Sequence, residues 1–142
     1  MKKVLIVEDD SDWRQLLSMI IQRSGHDAIS ATNGREAVAL AALKHPDLIL
    51  MDLGLPEMTG DEATAQIKGA PGTKGIPVVV QTAFGSGPNS KRALEVGAAE
   101  IMQKPVSISQ VQAILKKYLS DEAKVPTVDY PLPGKPTINI VP

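Results

Sequence analysis

The chain has 142 residues, of which 43% are hydrophobic, and its formal net charge at neutral pH is −1. This size and composition fit one globular domain with a single buried core. The chain contains no cysteine, which excludes a disulfide framework and a thiolate zinc site and is compatible with a reducing compartment. No cluster of lysine or arginine marks a nucleic-acid interface, and the apolar run near Met1 is too short for a signal peptide or membrane span. We therefore expect a cytoplasmic protein that contacts neither nucleic acid nor membrane directly.

Strand-like and helix-like segments alternate along the chain. The predicted strands, which are short and mostly apolar runs, are 3–8, about 27–31, 47–52, 76–82 and about 99–103. The predicted helices lie between Asp10 and Gly25, between Asn33 and Pro46, over about 60–69 and about 89–96, and from Ser107 to about Leu119.

Local signals support these helices. The first helix places apolar residues on one face, with Asp10 or Ser11 as its N-cap. Ser107 followed by Gln110 has the spacing of a capping box. The fourth helix begins with the residues GSGPNS, whose glycines and proline weaken its first turn. We expect that helix to be short or mobile.

Five consecutive βα units predict an α/β fold, a doubly wound parallel sheet of five strands with helices on both faces. The strand order expected for such a chain is 2-1-3-4-5, which places the topological switch point between the first and third strands. Ligands of open α/β sheets bind at the carboxyl edge beside such a switch point.

Polar residues stand where these strands end. Glu8 and Asp9 follow the first strand, Asp52 the third, Thr82 the fourth, and Lys104 the fifth. Because the carboxyl ends of parallel strands share one edge, three carboxylates, a hydroxyl and an ammonium are expected in one cleft. Such an acidic set requires a divalent cation, and it contains a nucleophile and a counter-charge for an incoming phosphoryl group.

From Ser120 onward the chain changes character, with five of its 11 prolines and no helical period. We interpret 121–142 as an extended, proline-rich C-terminal tail rather than a second domain. One hypothesis is that it docks on its own domain or on a neighbouring subunit through apolar anchors at Tyr130, Leu132, Ile138 and Ile140. The alternative is a disordered end.

The motifs together resemble those of the receiver domains of bacterial two-component response regulators. The resemblance covers about 2–119 and rests on IVEDD, DLILMDLGLPEMTG, IPVVVQTA, Gly97-Ala98 and Lys104-Pro105, which occur in that order. It implies a flavodoxin-like receiver fold over 1–120, followed by the tail. It also implies that the partners include a histidine kinase or a phosphotransfer protein.

The resemblance assigns roles to the residues of the cleft. Asp52 would be the phosphoacceptor, which attacks a phosphohistidine and becomes an acyl phosphate. Asp9, Asp52 and the backbone carbonyl of Gly54 would hold Mg²⁺ directly, with Glu8 acting mainly through a water. Thr82 would donate a hydrogen bond to the phosphoryl group. Lys104 would pair first with Asp52 and then with that group, and in this family the bond before the following proline is commonly cis.

Two positions depart from the family pattern. Ile101 stands where many receivers carry a switch aromatic, so an inward-swinging ring cannot operate there. Phe84, two residues past Thr82, is a candidate gate instead, with a core or interface role as the alternative. Gly54 has no side chain that could orient or block a hydrolytic water.

These features predict a phosphorylation-dependent switch rather than an enzyme. We expect its output to pass through contact with a downstream protein partner that the sequence does not identify. The sequence does not decide between a monomer and a homodimer. The chief alternative is a receiver-fold docking scaffold that acts without phosphorylation. A haloacid-dehalogenase-type phosphohydrolase would need a second acid at the position of Gly54. A flavodoxin-like cofactor binder would need a phosphate loop where EDDSDW stands, and these acids would repel phosphate.

Overall fold

The computed structural model describes residues 1–83 and 87–120. The strands are β1 (Lys3–Val7), β2 (Asp27–Ala31), β3 (Leu48–Asp52), β4 (Val78–Thr82) and β5 (Glu100–Gln103). The helices are α1 (Ser11–Arg23), α2 (Gly34–Lys44), α3 (Gly60–Gly69), α4 (Pro88–Glu95) and α5 (Ile108–Leu119). The predicted alternation of strands and helices is confirmed. The tail and Phe84 lie outside the described residues.

The sheet has the predicted order β2-β1-β3-β4-β5, and every neighbouring pair of strands is parallel. β1 and β3 are adjacent, with Val7 in register with Met51, so the residues that follow β1 lie beside the end of β3. β3 in turn pairs with β4, where Asp52 is in register with Gln81. The topology therefore brings the ends of three strands together at one edge.

The core lies in two layers, one on each face of the sheet. On one face α2, α3 and α4 contribute mainly small side chains, including Ala37, Ala41, Ala63 and Ala93. On the other face α1 and α5 contribute large aliphatic side chains, among them Leu17, Ile21, Val111, Ile114 and Leu115. The central strands are buried on both faces, which explains why their sequences are continuously apolar rather than alternating.

Side chains cap two helices as predicted. Asp10 is the N-cap of α1, where its carboxylate accepts from the N–H groups of Asp12 at 3.0 Å and Trp13 at 3.3 Å. Ser107 and Gln110 form the predicted capping box at α5.

α4 has only 8 residues, so the expectation of a short helix is confirmed. None of the helices within 1–83 and 87–120 has the length and apolar character required to cross a membrane.

Four strands, β1, β3, β4 and β5, are one or two residues shorter than predicted. β1 ends at Val7, although the Glu8 N–H still donates to the carbonyl of Ala31 at 3.0 Å. β4 begins at Val78 rather than at residue 76. Pro77 has no N–H to donate to the ladder, and its carbonyl only accepts from Ile49.

Gly60 fixes the start of α3 against the end of β3. A Cβ atom at this position would lie 2.2 Å from the carbonyl oxygen of Asp52, so no larger residue fits without movement. The Gly60 N–H donates to the carbonyl of Leu53 at 3.2 Å. The segment that leaves Asp52 is therefore held tightly where it turns into α3.

Candidate functional site

Three carboxylates meet at the carboxyl edge of the sheet. Glu8 and Asp9 follow β1, and Asp52 is the last residue of β3. Each offers one oxygen, and these three oxygens all lie within 4.8 Å of one another. Two of the three, Glu8 and Asp52, are buried, whereas Asp9 is exposed. The site is thus acidic, with two buried carboxylates, and it is accessible to solvent on the side of Asp9.

Lys104 supplies the positive charge of this cluster. Its Nζ lies 3.2 Å from Oε1 of Glu8 and 3.2 Å from Oδ1 of Asp52. The backbone holds the lysine in place, since the Lys104 N–H donates to the carbonyl of Thr82 at 2.8 Å. The peptide bond between Lys104 and Pro105 is cis, as the resemblance implied.

Glu8 is the most deeply buried acid of the cluster, with 1% of its surface exposed. Burial, together with the nearby Asp52 charge, raises the pKa of Glu8 to about 7. The N–H of Asp10, which donates to Oε2 at 3.2 Å, and the ammonium of Lys104 act in the opposite direction without cancelling the effect. Glu8 therefore gives up its proton near neutral pH.

The pKa of Lys104 is raised from its ordinary value. Burial alone would lower it, but the attraction of the Asp52 and Glu8 carboxylates outweighs burial. Lys104 consequently stays charged over the whole physiological range. Even so, one ammonium cannot balance three carboxylates when all are ionised.

A divalent cation fits this arrangement. Carboxylate and carbonyl oxygens are the ligands preferred by Mg²⁺ and Ca²⁺, and the three convergent carboxylates provide them. The backbone at Gly54 also approaches the cluster, because a Cβ atom built there would lie 3.9 Å from Oδ2 of Asp52. The residues could therefore hold a hard cation between β1 and β3.

Thr82 ends β4 beside the cluster and is 8% exposed. A cavity opens next to it and is lined by residues that follow β3 and residues that begin α4, including Leu53, Gly54, Pro88 and Ser90. Ile101 is half-buried and packs against the core layer of α2, α3 and α4. An aliphatic side chain therefore contacts the core at the position where many receivers carry an aromatic ring.

Sequence reasoning missed a polar contact behind the site. The indole Nε1 of Trp13 donates to Oε1 of Gln81 at 3.0 Å, across the layer that α1 and α5 cover. Gln81 is fully buried, and within the described chain its Nε2 has no hydrogen-bond partner. A glutamine inside an otherwise apolar strand was the available signal, because such a residue needs a partner when it is buried.

A second missed contact joins two helices near the site. Nε of Arg92 in α4 lies 3.0 Å from Oδ2 of Asp61 in the first turn of α3. Asp61 lies in the first turn of the helix, where acidic residues are usually exposed, yet its side chain is only 6% exposed. No spacing rule relates residues in different helices, so the sequence carried no local signal for this pair.

Comparison with known proteins identifies relatives over most of the chain. A family model described as the response regulator receiver domain matches residues 4–116. The polar-differentiation response regulator DivK of Brucella ovis is 38% identical over 120 residues, which are 84% of this chain and 98% of DivK.

Solved structures show the same fold. The chemotaxis response regulator CheY4 of Vibrio cholerae has a TM-score of 0.78 and 31% identity, covering 84% of this chain and 99% of that one. The receiver domain of a sensor histidine kinase from Pseudomonas aeruginosa PAO1 has a TM-score of 0.77 and 26% identity, covering 82% of this chain and 96% of that one. That receiver is described with a magnesium ion coordinated in its active-site cleft.

Proposed function

This chain belongs to the family of response regulator receiver domains, and on that premise we propose that Asp52 is the residue that receives the phosphoryl group. The protein is a phosphorylation-dependent signalling switch in a two-component phosphorelay. The observation that carries the assignment is the placement of Asp52 at the switch point, with its Oδ1 3.2 Å from Lys104 and its carboxylate beside those of Glu8 and Asp9.

In the transfer step a carboxylate oxygen of Asp52 attacks the phosphorus of a phosphohistidine on a histidine kinase or phosphotransfer protein. The new O–P bond forms as the P–N bond breaks, and the imidazole leaves with the electron pair of that bond. The ammonium of Lys104 pairs with Asp52 before transfer and with the phosphoryl oxygens after it. The aspartyl phosphate is later lost by hydrolysis, and no separate metabolite is turned over, which makes the domain a switch rather than an enzyme.

Asp9, Asp52 and the carbonyl of Gly54 would hold Mg²⁺, with Glu8 acting through a water. The bound cation would neutralise charge that builds up between the carboxylates and the phosphoryl oxygens. The convergence of the three carboxylates and the receiver described with magnesium support this choice of metal.

Thr82 is proposed to report the modification. A phosphoryl group adds roughly −1.5 to −2 charges, and the Thr82 hydroxyl at the adjacent strand end would donate a hydrogen bond to it. The start of α4 lines the same cavity as Thr82, so a shift of Thr82 alters the position of that segment. Output then follows through a changed affinity for a downstream protein. We propose that this protein binds the receiver domain, which we assign to residues 1–120, and our assignment of 121–142 as a separate tail stays a prediction.

The decisive experiment is phosphorylation by acetyl phosphate in the presence of Mg²⁺, with Asp52→Asn compared with wild type. We expect labelled wild type and unlabelled Asp52→Asn. Asp12→Asn is the matched control, because Asp12 is an exposed aspartate close to the site and takes no part in the cluster. Equal labelling of wild type and Asp52→Asn would disprove the assignment. Failure of wild type to be labelled at all would favour the docking scaffold.

A further inference from the structure

The two partners of the ion pair between α3 and α4 differ strongly in solvent exposure. Arg92 is 52% exposed, whereas its partner Asp61 is 6% exposed. Only Oδ2 of Asp61 meets Arg92, and Oδ1 is buried without a hydrogen-bond partner in the part of the chain that the structure describes. A buried carboxylate with one unsatisfied oxygen is stable only if a nearby positive charge compensates it. Asp61 therefore depends on Arg92 much more than Arg92 depends on Asp61.

Asp61 is rigidly connected to the phosphoacceptor segment. It directly follows Gly60, whose backbone lies against the carbonyl of Asp52 and donates to Leu53. The next residue, Glu62, closes the start of α3 by accepting from both the N–H and the hydroxyl of Thr59, at 3.1 Å and 2.9 Å. A displacement of the chain around Asp52 would therefore also displace the Asp61 carboxylate.

α4 is anchored weakly by comparison. Its 8 residues bury only Ser90 and Ala93, and its N-cap is Gly87, which has no side chain that could cap the helix. A helix with so small an apolar contact can shift over the sheet at low energetic cost. A charged contact from α4 to a fixed point on α3 then has a large influence on where α4 lies.

We propose that the Asp61–Arg92 ion pair is a positioning contact that couples α4 to the phosphoacceptor segment. Through it, rearrangement around Asp52 is passed to α4 and so to the surface that α4 presents. Neither residue touches the reacting atoms. The proposal rests on the function proposed above, because it assumes that Asp52 is modified.

The test compares wild type with Arg92→Gln by two independent measurements on the full chain. Labelling by acetyl phosphate reports the chemistry at Asp52, and amide chemical shifts on adding Mg²⁺ and beryllofluoride, a phosphoryl mimic, report the response of α4. We expect Arg92→Gln to be labelled like wild type while the α4 amides lose most of their response. Lys91→Gln removes the same charge from the adjacent exposed position and is expected to respond like wild type. Arg92→Lys, which keeps the charge, should restore part of the response.

A normal α4 response in Arg92→Gln would overturn the proposal. Loss of labelling in wild type would instead contradict the proposed function, so the two failures are distinguishable. Thermal melting supplies a second check should Arg92→Gln fold poorly. Because removal of Arg92 alone leaves a buried charge uncompensated, the double variant Asp61→Asn/Arg92→Gln should melt at a higher temperature than Arg92→Gln. The same or a lower melting temperature for the double variant would show that the pair does not act as described.

Discussion

Replacement of Glu8 by glutamine should remove a pH-dependent loss of stability from this domain. The pKa of Glu8 is raised from its ordinary value of 4.5 to about 7 by burial and by Asp52. The folded state therefore holds the proton more tightly than the unfolded state does. As pH rises above 4.5 the unfolded chain loses this proton first, so stability falls until about pH 7 and then stays level.

The size of this effect follows from the shift. At about 1.4 kcal/mol for each pKa unit, the change from 4.5 to about 7 corresponds to about 3 kcal/mol. For a domain of this length that is roughly 10 °C in melting temperature. The glutamine of Glu8→Gln cannot titrate. The difference in free energy of unfolding between this variant and wild type should therefore shift in favour of the variant by about this amount between pH 4.5 and pH 7.5.

The assay is urea denaturation of wild type and Glu8→Gln across that pH range, with EDTA present so that no divalent cation binds the cluster. Glu95→Gln, which removes an exposed carboxylate at the end of α4, separates the general effect of losing one charge from the effect specific to position 8. A difference between Glu8→Gln and wild type that does not change with pH would refute the reasoning. Added Mg²⁺ should reduce the difference in stability between Glu8→Gln and wild type at pH 7.5, because the fully ionised cluster of wild type binds the cation more tightly.

Further predictions address the remaining parts of the chain. Lys104→Ala should slow labelling by acetyl phosphate or uncouple it from output, whereas Thr82→Ala should still be labelled and lose its amide-shift response across β5; a full response in Thr82→Ala would contradict the role of that hydroxyl. Gly60→Ala should destabilise the domain by about 1–3 kcal/mol in urea denaturation, because its new methyl group meets backbone. Gly69→Ala, with nothing within 4 Å, should stabilise by about 0.5–1 kcal/mol, and similar effects at the two glycines would refute this argument. Truncation after Ser120 should lower the melting temperature, or change the oligomeric state measured by sedimentation, if the tail docks; an unchanged melting temperature, an unchanged oligomeric state and uniformly fast amide exchange over 121–142 would indicate a disordered end.

Local patterns in the sequence were sufficient to predict the order of elements and the fold. Continuous apolar runs identified β1, β3 and β4, because strands buried on both faces need no polar alternation. The capping residues Asp10 and Ser107 marked where α1 and α5 begin. These signals are local, since each depends on residues within about one turn or a few positions along a strand.

The composition of the candidate site was also accessible from the sequence, for a topological reason. In a parallel sheet the chain direction alone decides which end of each strand is shared, so acids after β1 and β3 must lie at one edge. The structure brings Glu8, Asp9 and Asp52 together there, with Lys104 between two of them. Their catalytic and metal-binding roles stay predictions.

Only the tertiary structure decided the burial and the ion-pair partners of these charged residues. It determined that Glu8 is buried while Asp9 is exposed, which separates their protonation behaviour although they are neighbours in the chain. It also determined that Asp61 meets Arg92 across two helices. Such contacts join residues far apart in sequence, and they depend on how helices of different length pack against the sheet and against each other. Periodicity and capping report on the chain's local conformation, whereas burial and ion pairing depend on which surfaces finally pack together.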